Sequence, residues 1–179
     1  INVLTDQSAP DEHWVASAAG GSVSQIIVEL AGNRDINSFG IYDYSNSDNR
    51  MQLFSGSQSS GARSMFAFLN NNCIEYNLVA TSTCFSQNLF GFYLQTGADS
   101  PVWFSEAARN SDRADHMVAF QGTGDLVDLP ATAAGYWDSN EFVLAFEDLP
   151  LNAWDYDYND FVVMVESVLL VVIGGLVGL

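Results

Sequence analysis

Short apolar runs rich in β-branched and aromatic residues recur along the whole chain, parted by clusters of Gly, Asn, Ser and Asp. No other feature constrains the fold as much. Apolar residues at helical spacing are scarce, whereas runs of this length bounded by turn chemistry are what strands and hairpins require. Predicted strands are Ser24 to Ala31, Ser38 to Tyr42, Arg50 to Phe54, Arg63 to Leu69 and Cys73 to Ala80. Further strands are predicted at Asn88 to Gln95, Val102 to Phe104, His116 to Gln121, Glu141 to Glu147 and from Asp160 onward. Separators such as Ser45-Asn-Ser-Asp-Asn49 and Ser55-Gly-Ser-Gln-Ser-Ser-Gly61 suit tight turns. Short helices are expected only over Asp11 to Ala18 and Ser105 to Arg109. The reading is all-β: an antiparallel, jelly-roll-like β-sandwich. The 12 Phe, 7 Tyr and 4 Trp agree with it, because aromatic side chains pack well on pleated surfaces.

The 179 residues show neither an internal repeat nor a linker, so one domain with a substantial core is expected over residues 1–167. Residues 168–179 break the pattern, since every one is Val, Leu, Ile or Gly. The stretch is shorter than the roughly 20 apolar residues of a membrane-spanning helix, and no basic cluster follows it. Membrane contact is therefore not expected. As an extended apolar strand it must be buried on both faces. Val168, Leu169, Leu170, Val171, Val172, Ile173, Leu176, Val177 and Leu179 become candidate interface residues.

Charge narrows the partners. The chain has 22 acidic residues against 5 basic ones, all Arg, for a net charge of −17. Such a molecule repels nucleic acid and anionic lipid and attracts divalent cations. The acids are concentrated where Glu147-Asp148 is followed by Asp155-Tyr-Asp-Tyr-Asn-Asp160. Calcium takes six to eight hard oxygen ligands from a backbone able to curl around it. Asp155, Asp157 and Asn159 have the alternating spacing of such a loop, with Asp160 opening the next strand and Glu147 and Asp148 ending the previous one. An EF-hand is excluded, because Asp160 stands where that loop needs Gly and the flanks read as strands. The alternative is a solvated acidic hairpin loop. Glu29, Asp43 and the pair Asp115-His116 could complete the same shell or build another, or serve as turn residues and satisfied polar groups.

Cys73 and Cys84 flank a polar, turn-like stretch, and in an exported protein two such cysteines pair. Ile1 at the start, with no initiator Met or leader, fits a processed mature protein. No phosphate-cradling glycine loop, GxSxG elbow or HExxH is present, and His13 and His116 lack partners at zinc spacing. A non-enzymatic role is expected.

Three segments together resemble a family of secreted bacterial domains, domain-of-unknown-function family 4114. They are Glu29-Leu-Ala-Gly32 with Phe39-Gly-Ile-Tyr-Asp43, then Ala114-Asp-His-Met-Val-Ala-Phe-Gln121, then Phe142-Val-Leu-Ala-Phe-Glu-Asp-Leu149 with Asp157-Tyr-Asn-Asp160. The likeness spans about residue 24 to 166. It implies a calcium-associated β-sandwich of exported surface proteins and adhesins, with Glu147, Asp148, Asp157 and Asp160 as ligands. The sorting tail common in that family, a Pro-Glu-Pro motif followed by an apolar helix and basic residues, is not matched here.

Two functions lead the readings of these features, ahead of a membrane-anchored surface protein with the tail as a truncated anchor. One is a Ca2+-stabilised subunit of an extracellular filament, joined head to tail to identical subunits when the apolar tail completes a neighbour's sheet. The other is a monomeric secreted or cell-surface adhesion domain binding surface glycans through Trp14, Trp103, Trp137 and Trp154, unless those tryptophans pack the core.

Overall fold

The computed structural model describes residues 7–8, 10–16, 22–28, 35–128 and 134–171. In chain order the strands begin with β1 (Gln7–Ser8), β2 (Trp14–Ala16), β3 (Ser22–Val28), β4 (Asn37–Asp43), β5 (Asn46–Phe54) and β6 (Arg63–Phe68). They continue with β7 (Cys73–Tyr76), β8 (Val79–Cys84), β9 (Leu89–Thr96), β10 (Val102–Phe104) and β11 (Met117–Gln121). The last are β12 (Asp125–Val127), β13 (Gly135–Trp137), β14 (Glu141–Phe146), β15 (Phe161–Glu166) and β16 (Val168–Leu170). Two short 3₁₀ turns, Ala107–Arg109 and Leu151–Ala153, are the helical elements among the described residues.

Two antiparallel sheets form a β-sandwich. The first has the order β1-β11-β14-β15-β3-β6-β7-β8 and the second β16-β2-β9-β4-β5, with β10 also on β9. A small β12–β13 ribbon pairs with neither. Between the sheets, Trp14, Phe39, Ile41, Phe90 and Phe92 from one meet Phe66, Phe142, Leu144, Phe146 and Val163 from the other in one buried cluster. Neighbouring rings meet edge-on, as Trp14 does Phe142 at 4.6 Å between centroids, or stacked, as Phe39 does Phe92 at 5.6 Å. Both geometries favour aromatic quadrupoles beyond simple area burial.

Alternation along β14 explains why its sequence is apolar throughout. Phe142, Leu144 and Phe146 face the core, while Val143 and Ala145 join Phe120, Met164 and Trp137 in a second buried cluster on the outer face. A central strand covered on both sides reads as a continuous apolar run.

Several sequence expectations are corrected. Cys73 to Ala80 is not one strand but the hairpin β7–β8, turning at Asn77 and Leu78, both left-handed with φ of 48° and 66°. Two consecutive left-handed residues match the twist of a two-residue hairpin, but Leu is an uncommon choice there, so the turn is invisible to composition. Within Asp11 to Ala18 the described residues form no helix: Trp14–Ala16 is strand β2, which pairs with both β9 and β16, and sheet pairing overrides local preference. The apolar stretch after Asp160 is likewise not continuous. It breaks at Ser167 (φ 61°), where the chain leaves the first sheet and enters the second. Val168–Leu170 pairs with Trp14–Ala16 of its own chain, and Val168 is fully buried in the shared core. The 167/168 boundary therefore falls inside the sandwich. Val171 donates its backbone N–H to the His13 carbonyl (2.8 Å), and Val172, Ile173, Leu176, Val177 and Leu179 lie outside the described residues.

Cys73 and Cys84 form a disulfide between directly opposed positions of β7 and β8. It staples the outermost hairpin of the first sheet. Among the described residues no helix is long and apolar enough to cross a membrane. Together with the disulfide, this is compatible with an extracellular setting.

Candidate metal centre

Antiparallel pairing of β14 with β15, Phe146 opposite Phe161, fixes the two ends of the acidic loop. The chain between them leaves at Glu147 and must return at Asp160 beside it. Within the loop Tyr156 and Tyr158 adopt left-handed backbone, with φ of 65° and 49°. For residues with a Cβ this conformation costs roughly 1–2 kcal/mol each. The curl it produces brings carboxylate oxygens of Glu147, Asp155 and Asp157 within 4.8 Å of one another.

The three carboxylates differ in setting. Glu147 is buried, 1% exposed, while Asp155 and Asp157 are exposed. Desolvation pushes the Glu147 carboxyl above its ordinary range, and the charges of Asp160, Asp155 and Asp157 add to the push. The Tyr158 N–H, donating to Glu147 Oε1 at 3.0 Å, acts against it without reversing it. Asp160 is raised in the same way, first by desolvation and then by Asp148, Asp155 and Asp157. Hard oxygens drawn from several carboxylates on a curled loop are the donor set of a Ca2+ site, and mutual repulsion of this kind is what a divalent cation relieves. The residues present fit that ion.

The other predicted ligands divide. Asp160 accepts the Asp148 N–H at Oδ2 (3.0 Å) and closes the loop at its base. Asn159 turns back on Asp157, its side-chain amide and backbone N–H both donating to that carboxylate. Asp148 is buried and points the other way, toward β4, where Asn37 Nδ2 donates to its carboxylate at 3.1 Å. Its carbonyl accepts Trp103 Nε1 (2.9 Å) and Thr96 Oγ1 (3.3 Å). Asp148 is thus tied into the second sheet, while Glu147, one residue earlier, supplies the loop.

Asp43 is corrected as a partner of this shell. It ends β4 at the opposite extreme from Asn37, some 20 Å away along an extended strand. Its carboxylate accepts the N–H and hydroxyl of both Ser45 and Ser86, at 2.7–2.9 Å. Burial pushes it up, but these hydrogen bonds outweigh that and hold it below the usual carboxylate range. It is a satisfied turn residue that locks the β4–β5 turn to the loop before β9. Glu29 lies outside the described residues.

His116 lies under the loop. It is fully buried, stacked on Trp103 at 3.7 Å between ring centroids, with the edge of Trp154 against it at 4.7 Å. Its Nδ1 is bonded to the Glu147 carbonyl (3.1 Å) and its Nε2 to the Asp112 carboxylate (3.1 Å), which also accepts the Leu151 N–H. Asn37, Thr96, Trp103 and Asp112 were missed as supports because nothing local marks them. Asn37 and Asp148, for instance, are 111 positions apart. Of the two readings of the tryptophans, core packing holds for three and no sugar-stacking surface forms: Trp14, Trp103 and Trp137 are buried, and Trp154 is half-buried with its Nε1 donating to the Leu149 carbonyl.

The whole loop, both strands that frame it and β11 beneath lie within residues 79–168. That segment, just over half of the chain, matches the family described as Domain of unknown function (DUF4114). The chain belongs to this family. The DUF4114 match begins at β8, so the resembling segments at Glu29 to Gly32 and Phe39 to Asp43 lie outside it. No curated protein and no solved structure matches the chain.

Proposed function

We propose that this DUF4114 chain is a calcium-stabilised structural subunit of the extracellular space, joined to identical copies through its apolar C-terminal segment. The observation that carries the reading is the buried Glu147 carboxylate facing Asp155 and Asp157 within 4.8 Å. A Ca2+ ion held there by Glu147, Asp155 and Asp157, with Asp160 beside them, neutralises the loop and pins β14 to β15 where the two strands meet. The disulfide supports an oxidising, exported setting.

Position supports the assembly role of the tail. β16 is the outermost strand of the second sheet, and its Leu169 is exposed. The chain continues from that edge into the uncharged sequence from Val171 to Leu179. An apolar strand donated to a neighbour's sheet makes a heterologous contact, which propagates into a fibre.

Metal analysis and electron microscopy test the two halves. The protein is expected to bind Ca2+ by calorimetry and to sensitise bound Tb3+ luminescence from Trp154 and Tyr156. It is expected to form filaments that a truncation after Val171 abolishes while leaving the monomer folded. Filaments that persist after that truncation rule out donation by the tail, and an absence of metal under saturating conditions rules out the calcium clamp.

A further inference from the structure

The outer face of the first sheet carries a cleft of about 290 Å3 immediately beside the metal loop. Its floor is Val118, Phe120 and Ala145, its wall the Tyr156-Asp157-Tyr158 segment, and Gln7 of β1 stands at its rim. The floor follows from register. Val118, Ala145 and Val162 lie opposite one another across β11, β14 and β15, and the middle position is the small one. The methyl-sized side chain at Ala145 leaves the depression, and the left-handed backbone at Tyr156 and Tyr158 places the wall over it.

We infer that this cleft binds a single neutral pyranose ring, stacked against the tyrosine wall and reaching the bound cation through adjacent hydroxyls. The inference rests on the calcium reading above and assigns a ligand to a surface that the reading leaves unused. Size comes first: pockets for drug-sized ligands begin at about 300 Å3, so this one takes one ring rather than an extended chain.

The lining chemistry comes second. Aromatic and aliphatic groups suit the apolar face of a sugar, while the Gln7 amide and Asp157 carboxylate suit its hydroxyls. Tyr156 is 66% exposed, so its ring is available for contact. Charge is the third argument. At −17 overall, with no Arg in the lining, the surface repels anionic ligands, and a cation at Asp157 disfavours cationic ones. Coordination is the fourth. Asp157 lines the cleft and belongs to the carboxylate cluster, whose Asp155 and Asp157 face solvent while Glu147 holds the buried side. An ion seated there keeps outward positions for oxygens from a ligand, since calcium takes six to eight.

The test titrates the full chain with methyl α-mannopyranoside, methyl β-galactopyranoside and methyl β-glucopyranoside, followed by NMR, in saturating Ca2+ and again in excess chelator. Calcium stoichiometry is measured separately. At least one glycoside is expected to bind saturably in Ca2+ and not in chelator. Tyr156→Ala is expected to weaken binding about tenfold, the scale of one aromatic contact. Ala145→Leu, which fills the floor, is expected to abolish it while retaining calcium binding and the calcium-induced rise in Tm. Calcium binding without uptake of any of the three glycosides overturns the saccharide site and leaves the clamp standing. Sugar binding indifferent to chelator, or unchanged in both variants, also overturns it. Self-association lost in Ala145→Leu, with no sugar bound by the wild type, gives the cleft to a second copy of the chain instead. Absence of calcium binding removes both readings together.

Discussion

The carboxylate of Glu147 accepts the backbone N–H of Tyr158, eleven residues later, at 3.0 Å. That bond shapes the loop but does not discharge it. The same carboxylate is 1% exposed and is pushed up by desolvation and by three neighbouring acids. Local geometry holds the loop closed while electrostatics pull it apart.

Calcium should therefore stabilise the fold measurably. A ligand bound only to the native state at a hundred times its Kd adds about 2.7 kcal/mol. For a domain of this size that corresponds to a rise in Tm of roughly 5–10 °C. Glu147→Gln removes one of the ligand charges and is expected to lose most of that rise while melting no lower than the wild type in chelator. Differential scanning calorimetry with and without Ca2+ checks both. Equal calcium-induced shifts in variant and wild type exclude Glu147 as a ligand.

Asp11 predicts a pH dependence separate from the metal. It is buried and accepts the Ala119 N–H at 2.8 Å. Desolvation and then the nearby Asp115 charge raise its carboxyl from 3.8 to about 7, against that hydrogen bond. A folded-state pKa above the unfolded one means that the folded protein holds the proton more tightly. The stabilising contribution is thus complete below about pH 4 and is lost as pH rises through about 7. Asp11→Asn keeps an acceptor for Ala119 and removes the titration. It is expected to be near neutral at pH 4 and stabilising by on the order of 4 kcal/mol at pH 8, read from urea midpoints in chelator. A gain of the same size at both pH values excludes titration of Asp11 as its source.

Removing the disulfide should loosen the far edge of the first sheet. Closing a loop this short contributes about 2–3 kcal/mol through the unfolded state. The paired change Cys73→Ser with Cys84→Ser is expected to lower the urea midpoint accordingly. Faster amide exchange should be confined to β7 and β8, because the bond joins those two strands and no others.

Truncation separates core from tail. Ending the chain after Ser167 deletes Val168, which is fully buried, together with the β16 pairing to β2. Loss of a buried Val alone costs about 1.5–3 kcal/mol. That truncation should melt markedly lower, whereas ending the chain after Val171 should leave the melting temperature close to that of the full chain. Indistinguishable melting of the two truncations places Val168 outside the core.

The β-sandwich was legible because its signal is local: apolar runs parted by turn residues appear wherever they are read, and β14, β15 and β4 fall close to where expected. The acidic loop was legible for the same reason, since its alternating Asp residues are neighbours in sequence. The hairpin within Cys73 to Cys84 was not, because Asn77 and Leu78 take left-handed backbone without a glycine to announce it.

By itself, then, the sequence determined the fold class, the disulfide and the place of the carboxylate cluster. Tertiary structure alone decided which acids meet. Glu147 and Asp148 are adjacent, yet alternation along an extended chain sends one to the loop and the other to Asn37 on the second sheet. Asp43, equally acidic, is parted from both by the length of β4 and satisfied by serine hydroxyls and backbone N–H groups. It also decided that Val168 belongs to the core and not to a projecting tail, because the turn at Ser167 carries the chain across to pair with β2. Partners distant in sequence are chosen by register and strand order, and neither is written in composition.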